Sequence, residues 1–239
     1  TGFGATVALS SNDGTRLLVG AHNFTATDGT GTLVEEGGAV FLYDYDGATG
    51  IWEYTTHWTG ESNEELGRWP ISISADGGLV AIRRGLPGRP AEVYSVDEFG
   101  VKTKMGGDII CDDAGNMVSL TETPDGTKRL AAACEFDGAE ESGNVNVFDW
   151  NGTEWEPLAS LSVDSSGTTS GLFGFDMSFA NQGSRLALSA PNFNASSGEE
   201  GLVAVFDYDG ASWIQLGGNL TGTQQNQKFG FTMALSEDG

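Results

Sequence analysis

Positive charge is scarce in this chain. Eleven lysines and arginines stand against 34 aspartates and glutamates in 239 residues, a formal net of −23. That balance disfavours a nucleic-acid partner, because phosphate binding calls for a basic surface. Apolar runs are short: none approaches the roughly 20 residues of a membrane helix, so no membrane insertion is expected, and no signal peptide is recognisable. Histidine occurs twice, as His22 and His57. Neither belongs to a recognisable catalytic triad, and neither a phosphate loop nor an HExxH helix is present. Two cysteines cannot close a zinc site. A sustained amphipathic helical pattern is missing as well, so almost no helix is expected. On these absences the chain is expected not to be an enzyme.

Glycine, by contrast, is abundant at 36 residues, about twice the usual share, and much of it falls in repeated positions. The segments GAVFLYDYDG (38–47), AEVYSVDEFG (91–100), GNVNVFDWNG (143–152) and GLVAVFDYDG (201–210) stack without gaps, placing Asp44, Asp97, Asp149 and Asp207 in one column. A second register is formed by GTRLLVGAHNF (14–24), GGLVAIRRGLP (77–87), GTKRLAAACEF (126–136) and GSRLALSAPNF (183–193). FGFTMALSEDG (229–239) opens a fifth copy. A fixed period of this size marks a repeat architecture. The repeats run approximately 1–60, 61–105, 106–165, 166–223 and a partial 224–239, forming one repeat array that reads as an excerpt of a longer chain.

Each repeat reads as four strands, in the fourth copy roughly 174–180, 185–190, 202–208 and 212–216. The second strand is almost wholly small or apolar, as in a strand covered on both faces. Asp46-Gly47, Asn151-Gly152 and Asp209-Gly210 supply the positive dihedrals of tight hairpins. The Asp two residues earlier is expected to hold each hairpin shut, and Trp52, Trp155 and Trp213 to fill the gap between sheets. Repeated four-stranded antiparallel units make an all-β fold, a β-propeller of four full repeats plus the first strand of a fifth.

Phe3-Gly4, Phe173-Gly174 and Phe229-Gly230, followed by Gly20-Ala21 or Ala190-Pro191 and then G-x-V-x-V-[YF], resemble the FG-GAP repeat of the integrin α-subunit propeller. Repeat 2 departs most, with Leu66-Gly67 and Pro70. The resemblance implies an extracellular or cell-surface protein and a structural or adhesive role.

Candidate sites follow from the loops. The acids Asp137, Glu140 and Glu141 offer a weak Ca²⁺ site, although the loops between first and second strands lack spaced carboxylates. No cofactor is required on this reading. Sequons at Asn23, Asn151, Asn194 and Asn219 are candidates for N-linked glycans. Cys111 and Cys134 are a candidate disulfide, with two unpaired thiols as the alternative. Residues 67–106 carry six basic and four acidic side chains, a net of +2 on a body of −25. Arg83, Arg84 and Arg89 therefore become candidates for self-association, by docking on an acidic repeat of a neighbouring copy. The function expected is a non-enzymatic extracellular structural or adhesive protein that self-assembles or binds another surface protein or glycan. A ligand-binding propeller, Ca-dependent or not, is the alternative.

Overall fold

A computed structural model of the chain describes residues 2–27, 32–85, 90–110, 117–134, 143–163, 173–194, 198–236 and 238–239. The described residues hold no α-helix; one three-residue 3₁₀ turn, Asn181–Gly183, interrupts the strands. The chain forms two compact units: Thr1–Ile110 holds two four-stranded sheets and a two-stranded ribbon, and Cys111–Gly239 holds one four-stranded and one five-stranded sheet.

In the first unit, blade 1 is ordered β1-β2-β5-β6, from β1 (Phe3–Leu9), β2 (Arg16–Ala21), β5 (Ala39–Asp46) and β6 (Ile51–Thr59). A two-stranded ribbon, β3 (Ala26–Thr27) with β4 (Leu33–Val34), rises between β2 and β5. Blade 2 is β7 (Ile71–Ile73), β8 (Leu79–Arg83), β9 (Ala91–Val96) and β10 (Lys102–Lys104). In the second unit, blade 3 is β11 (Val118–Glu122), β12 (Lys128–Cys134), β13 (Asn144–Trp150) and β14 (Trp155–Leu161). Blade 4 is β15 (Met177–Ala180), β16 (Arg185–Ala190), β17 (Leu202–Tyr208) and β18 (Trp213–Gln215), with β19 (Leu220–Thr221) also on β17. The pairings between these strands are antiparallel, and the four strands expected for the fourth copy fall within a few residues of their predicted places.

The second strands are buried along most of their length, as their mostly small and apolar residues require. Within the first unit, Leu18, Val40, Leu42 and Trp58 of blade 1 pack against Ile71, Ile73, Val80, Ile82 and Val96 of blade 2. Within the second, Ala131, Val145, Val147 and Leu161 meet Met177, Leu186, Leu188, Ala204 and Phe206. Alternate residues of each strand face opposite neighbours, so each sheet has a forward face and a backward face.

Glycine makes the joints between sheets. Gly38 bridges Leu66 in parallel, and Gly201 bridges Phe229 in the same way. A Cβ at Gly38, Gly143 or Gly201 would collide with the carbonyl of Leu66, Phe173 or Phe229 respectively. The next residue in each copy, Gly67, Gly174 or Gly230, has φ between +83° and +88° and lies against the second and third strands of the preceding sheet. Only glycine tolerates both the close approach and the dihedral. The Phe-Gly and Gly-x-Val motifs are thus two halves of one packing joint.

Pairing corrects the gapless stack in repeats 2 and 3. Arg16 faces Asp44 and Arg185 faces Asp207. In repeat 3 it is Arg129, one place beyond the stacked Lys128, that faces Asp149, and in repeat 2 Leu79 faces Ser95. Repeat 2 has slipped by two residues. Asp97 therefore belongs with the turn residues Asp46, Asn151 and Asp209, and like them it accepts backbone N–H bonds from the residues that follow. The column aspartates Asp44, Asp149 and Asp207 do not close the hairpins as expected; they bind arginine. Gly47 also differs from expectation: positive φ in that hairpin sits at Gly50, while Gly152 and Gly210 do adopt it.

Candidate functional site

Three of the four blades carry the same charged pair at the start of the second strand. Arg16 meets Asp44 at 2.7 Å, Arg129 meets Asp149 at 2.7 and 2.8 Å, and Arg185 meets Asp207 at 2.6 and 2.9 Å. A planar guanidinium matches a carboxylate in this two-bond geometry. The remaining nitrogen reaches forward: Arg16 to the carbonyl of Gly77, Arg129 to that of Gly183, and Arg185 to that of Gly239, at 3.1, 2.9 and 2.8 Å. Each acceptor is the turn glycine of the following copy. Arg129 also lies 4.5 Å from the ring centre of Tyr208 and 5.6 Å from Trp213 on blade 4, within cation–π range. Asp207 is held below its ordinary acidity range by Arg185.

The positive charge of repeat 2 is largely used internally. Arg83 is 1% exposed. Arg84 bonds the fully buried Glu64 at 2.6 Å and Glu92 at 3.3 Å, and Lys104 meets Glu92 at 2.7 Å. Tyr94 donates to Glu92, and burial, reinforced by that carboxylate, pushes its hydroxyl up to about 12. This placement gives no support to Arg83 and Arg84 as a free docking patch. Arg89 lies outside the described residues, as do Asp137, Glu140 and Glu141. No group of three metal-binding side chains occurs among the described residues. Asp13, Asp76 and Asp125, in the loops scanned for calcium, accept backbone N–H bonds from their own turns.

Cys134 is buried and in the disulfide form; Cys111 lies outside the described residues. Asn23 is exposed just beyond β2. Asn151 is engaged in its hairpin, accepting from Thr153 and Glu154 while its Nδ2 donates to Glu156. Asn219 is exposed and accepts from Gln215, and Asn194 is half-buried.

Two titratable groups with altered acidity were not singled out by the sequence. Asp176 precedes β15 and accepts N–H bonds from Met177 at 2.9 Å and Met233 at 2.7 Å; burial nonetheless raises its pKa. His57, on β6, stacks on Phe41 and bonds Tyr54 through Nδ1. Burial, then the Lys102 charge, lowers its pKa. Both depend on neighbours distant in sequence, which is why no local motif announced them. Around His57, the rings of Phe3, Phe24, Phe41, Tyr43 and Tyr54 form a continuous aromatic surface on blade 1.

No protein-family model matches the sequence, and no curated protein matches it either. Solved structures do. A periplasmic gluconolactonase of Pseudomonas aeruginosa superposes with a TM-score of 0.57 at 17% identity, covering 92% of this chain and 57% of its own. A putative 6-phosphogluconolactonase of Bacteroides uniformis gives 0.53 at 12%, covering 91% and 54%. Saccharomyces cerevisiae Sqt1 gives 0.56 at 11%, covering 90% and 49%. The chain spans about half the length of these proteins. At such identities the likeness carries the β-propeller fold alone. It also corrects the sequence reading, because these structures are propellers with lactonase names and Sqt1, not integrin-type propellers. The FG-GAP assignment, and the structural and adhesive role drawn from it, are withdrawn. What resembled a family signature is the glycine joint that close blade packing demands.

Proposed function

We propose that this chain supplies blades to a hydrolytic propeller that opens a neutral sugar lactone. The observation behind the reading is the fold shared, over more than nine-tenths of the chain, with two propellers that bear lactonase names. Hydrolysis of a cyclic ester needs a group to take a proton from water and donors for the developing oxyanion. Asp176 is a described carboxyl whose burial shifts its acidity toward such a role. A net charge of −23 argues against the phosphorylated lactone as preferred substrate, since its phosphate would be repelled. The disulfide form of Cys134 and the acidic surface favour a compartment outside the cytoplasm.

The test is the rate of ring opening of glucono-1,5-lactone and of its 6-phosphate, each against the spontaneous reaction. The expected result is acceleration of the neutral lactone well above the phosphorylated one. Asp176→Asn should lower kcat more than it raises KM and remove the acid limb of the pH profile. No acceleration of either lactone overturns the proposal; preference for the phosphate overturns the charge argument.

A further inference from the structure

The arginine joint is built differently in the two units. In the second, the guanidinium of Arg129 is gripped by Asp149 and covered by the rings of Tyr208 and Trp213. In the first, Arg16 is gripped by Asp44 in the same way. Among the described residues, however, no aromatic ring lies over it.

The slip in repeat 2 accounts for the difference. Leu79 stands opposite Ser95 where Arg185 stands opposite Asp207, so Val96 takes the place of Tyr208 and Lys102 that of Trp213. Val96 is the smaller side chain. Lys102 is engaged elsewhere, donating to the carbonyl of His57 and lying 4.9 Å from the ring centre of Trp58. A cavity of about 460 Å³ is left beside Arg16, within the range of small-molecule sites, about 300–1,000 Å³. It belongs wholly to the first unit, between blades 1 and 2.

Its walls specify the occupant. Arg16 uses all five N–H groups at its edge, on both oxygens of Asp44 and on the carbonyls of Gly77, Val96 and Asp97, at 2.7 to 3.3 Å. No N–H remains for an anion. What the guanidinium still offers is its flat face, the surface that rings cover on Arg129. Asp76 and Glu98 line the same cavity and are exposed, so one cation stands against three carboxylates on the walls. A positive charge is favoured there and a negative one repelled.

We infer that this cavity binds a small aromatic amine. Its ring stacks on Arg16, as Tyr208 and Trp213 do on Arg129, and its ammonium faces Asp76 and Glu98. Ring and charge answer two separate features of the walls.

Isothermal titration of the full chain with tryptamine tests this. Indole-3-acetate and cyclohexylamine serve as probes that lack the positive charge and the aromatic ring respectively. Tryptamine should bind at one site, and each of the others at least tenfold more weakly. Stacking should also move the Arg16 Nε–H proton resonance upfield through the ring current. Val96→Tyr restores the missing ring and should abolish binding. Glu98→Gln, at an exposed position, should weaken binding at least threefold with an unchanged thermal midpoint, and it decides the matter if the tyrosine variant does not fold. No binding of tryptamine overturns the inference. So does equal binding of cyclohexylamine or of indole-3-acetate, or an affinity that Glu98→Gln leaves unchanged. Tryptamine binding does not rest on lactone turnover, which is measured separately.

Discussion

Arg129 contributes through three contacts at once: the Asp149 carboxylate, the Gly183 carbonyl and the rings of Tyr208 and Trp213. Its side chain is almost fully buried, so its loss would leave Asp149 charged and largely unpaired. Arg129→Ala is expected to cost about 3 kcal/mol in denaturant unfolding, the scale for breaking a buried pair. Arg129→Lys should recover little, because an ammonium cannot form the fork or lie flat on the rings. Asp176 works in the other direction. Burial raises its pKa above the ordinary 3.8, so ionising it costs the folded state. That cost is absent below the ordinary value, grows as pH rises, and is complete above the raised value. Asp176→Asn keeps one acceptor oxygen and abolishes the charge. Thermal midpoints of this variant should therefore change less between acid and neutral pH than those of the parent. Asp176→Ala should be less stable at every pH, since the Met233 N–H loses its acceptor.

At the scale of elements, glycines sort into two kinds that composition alone does not separate. Gly201→Ala should cost more than about 1 kcal/mol, because the new Cβ meets the Phe229 carbonyl at a positive dihedral. Gly47→Val should be close to silent, its site being open and its φ ordinary, whereas Gly210→Val should be costly at φ +97°. Equilibrium unfolding of the three variants checks the division. The strands and their order were legible from the sequence because alternation and Asx-Gly turns are local signals. The slip in repeat 2 was not. A gapless stack rewards the shared aspartate letter, while the ladder is decided by which side chains can be buried, and Leu79 opposite Ser95 satisfies that where Arg opposite Asp does so elsewhere. The candidate site was legible least of all. The arginine–aspartate pair joins residues 20 to 28 apart, and its forward acceptor lies more than 50 residues along the chain.

Across the whole molecule, electrostatics is more one-sided than the net charge suggests. Arg16, Arg68, Arg84, Lys104, Lys128, Arg129, Arg185 and Lys228 are all in ion pairs, and Arg83 is buried. Little positive charge is left to shape the outer field, so neutral or cationic ligands are favoured over anionic ones.

The glycine joint has a consequence for how such a chain can change. Both halves of the joint are written into repeats 1 and 4, Gly4 and Gly174 at the entry to the first strand and Gly38 and Gly201 at the entry to the third. A whole copy can therefore be duplicated or deleted by unequal recombination and still meet its new neighbours with matching parts, since repeat arrays depend on nearest-neighbour contacts. Deleting part of a copy breaks a joint on each side. Lengths one repeat apart should be tolerated among descendants of such a gene, and intermediate lengths purged.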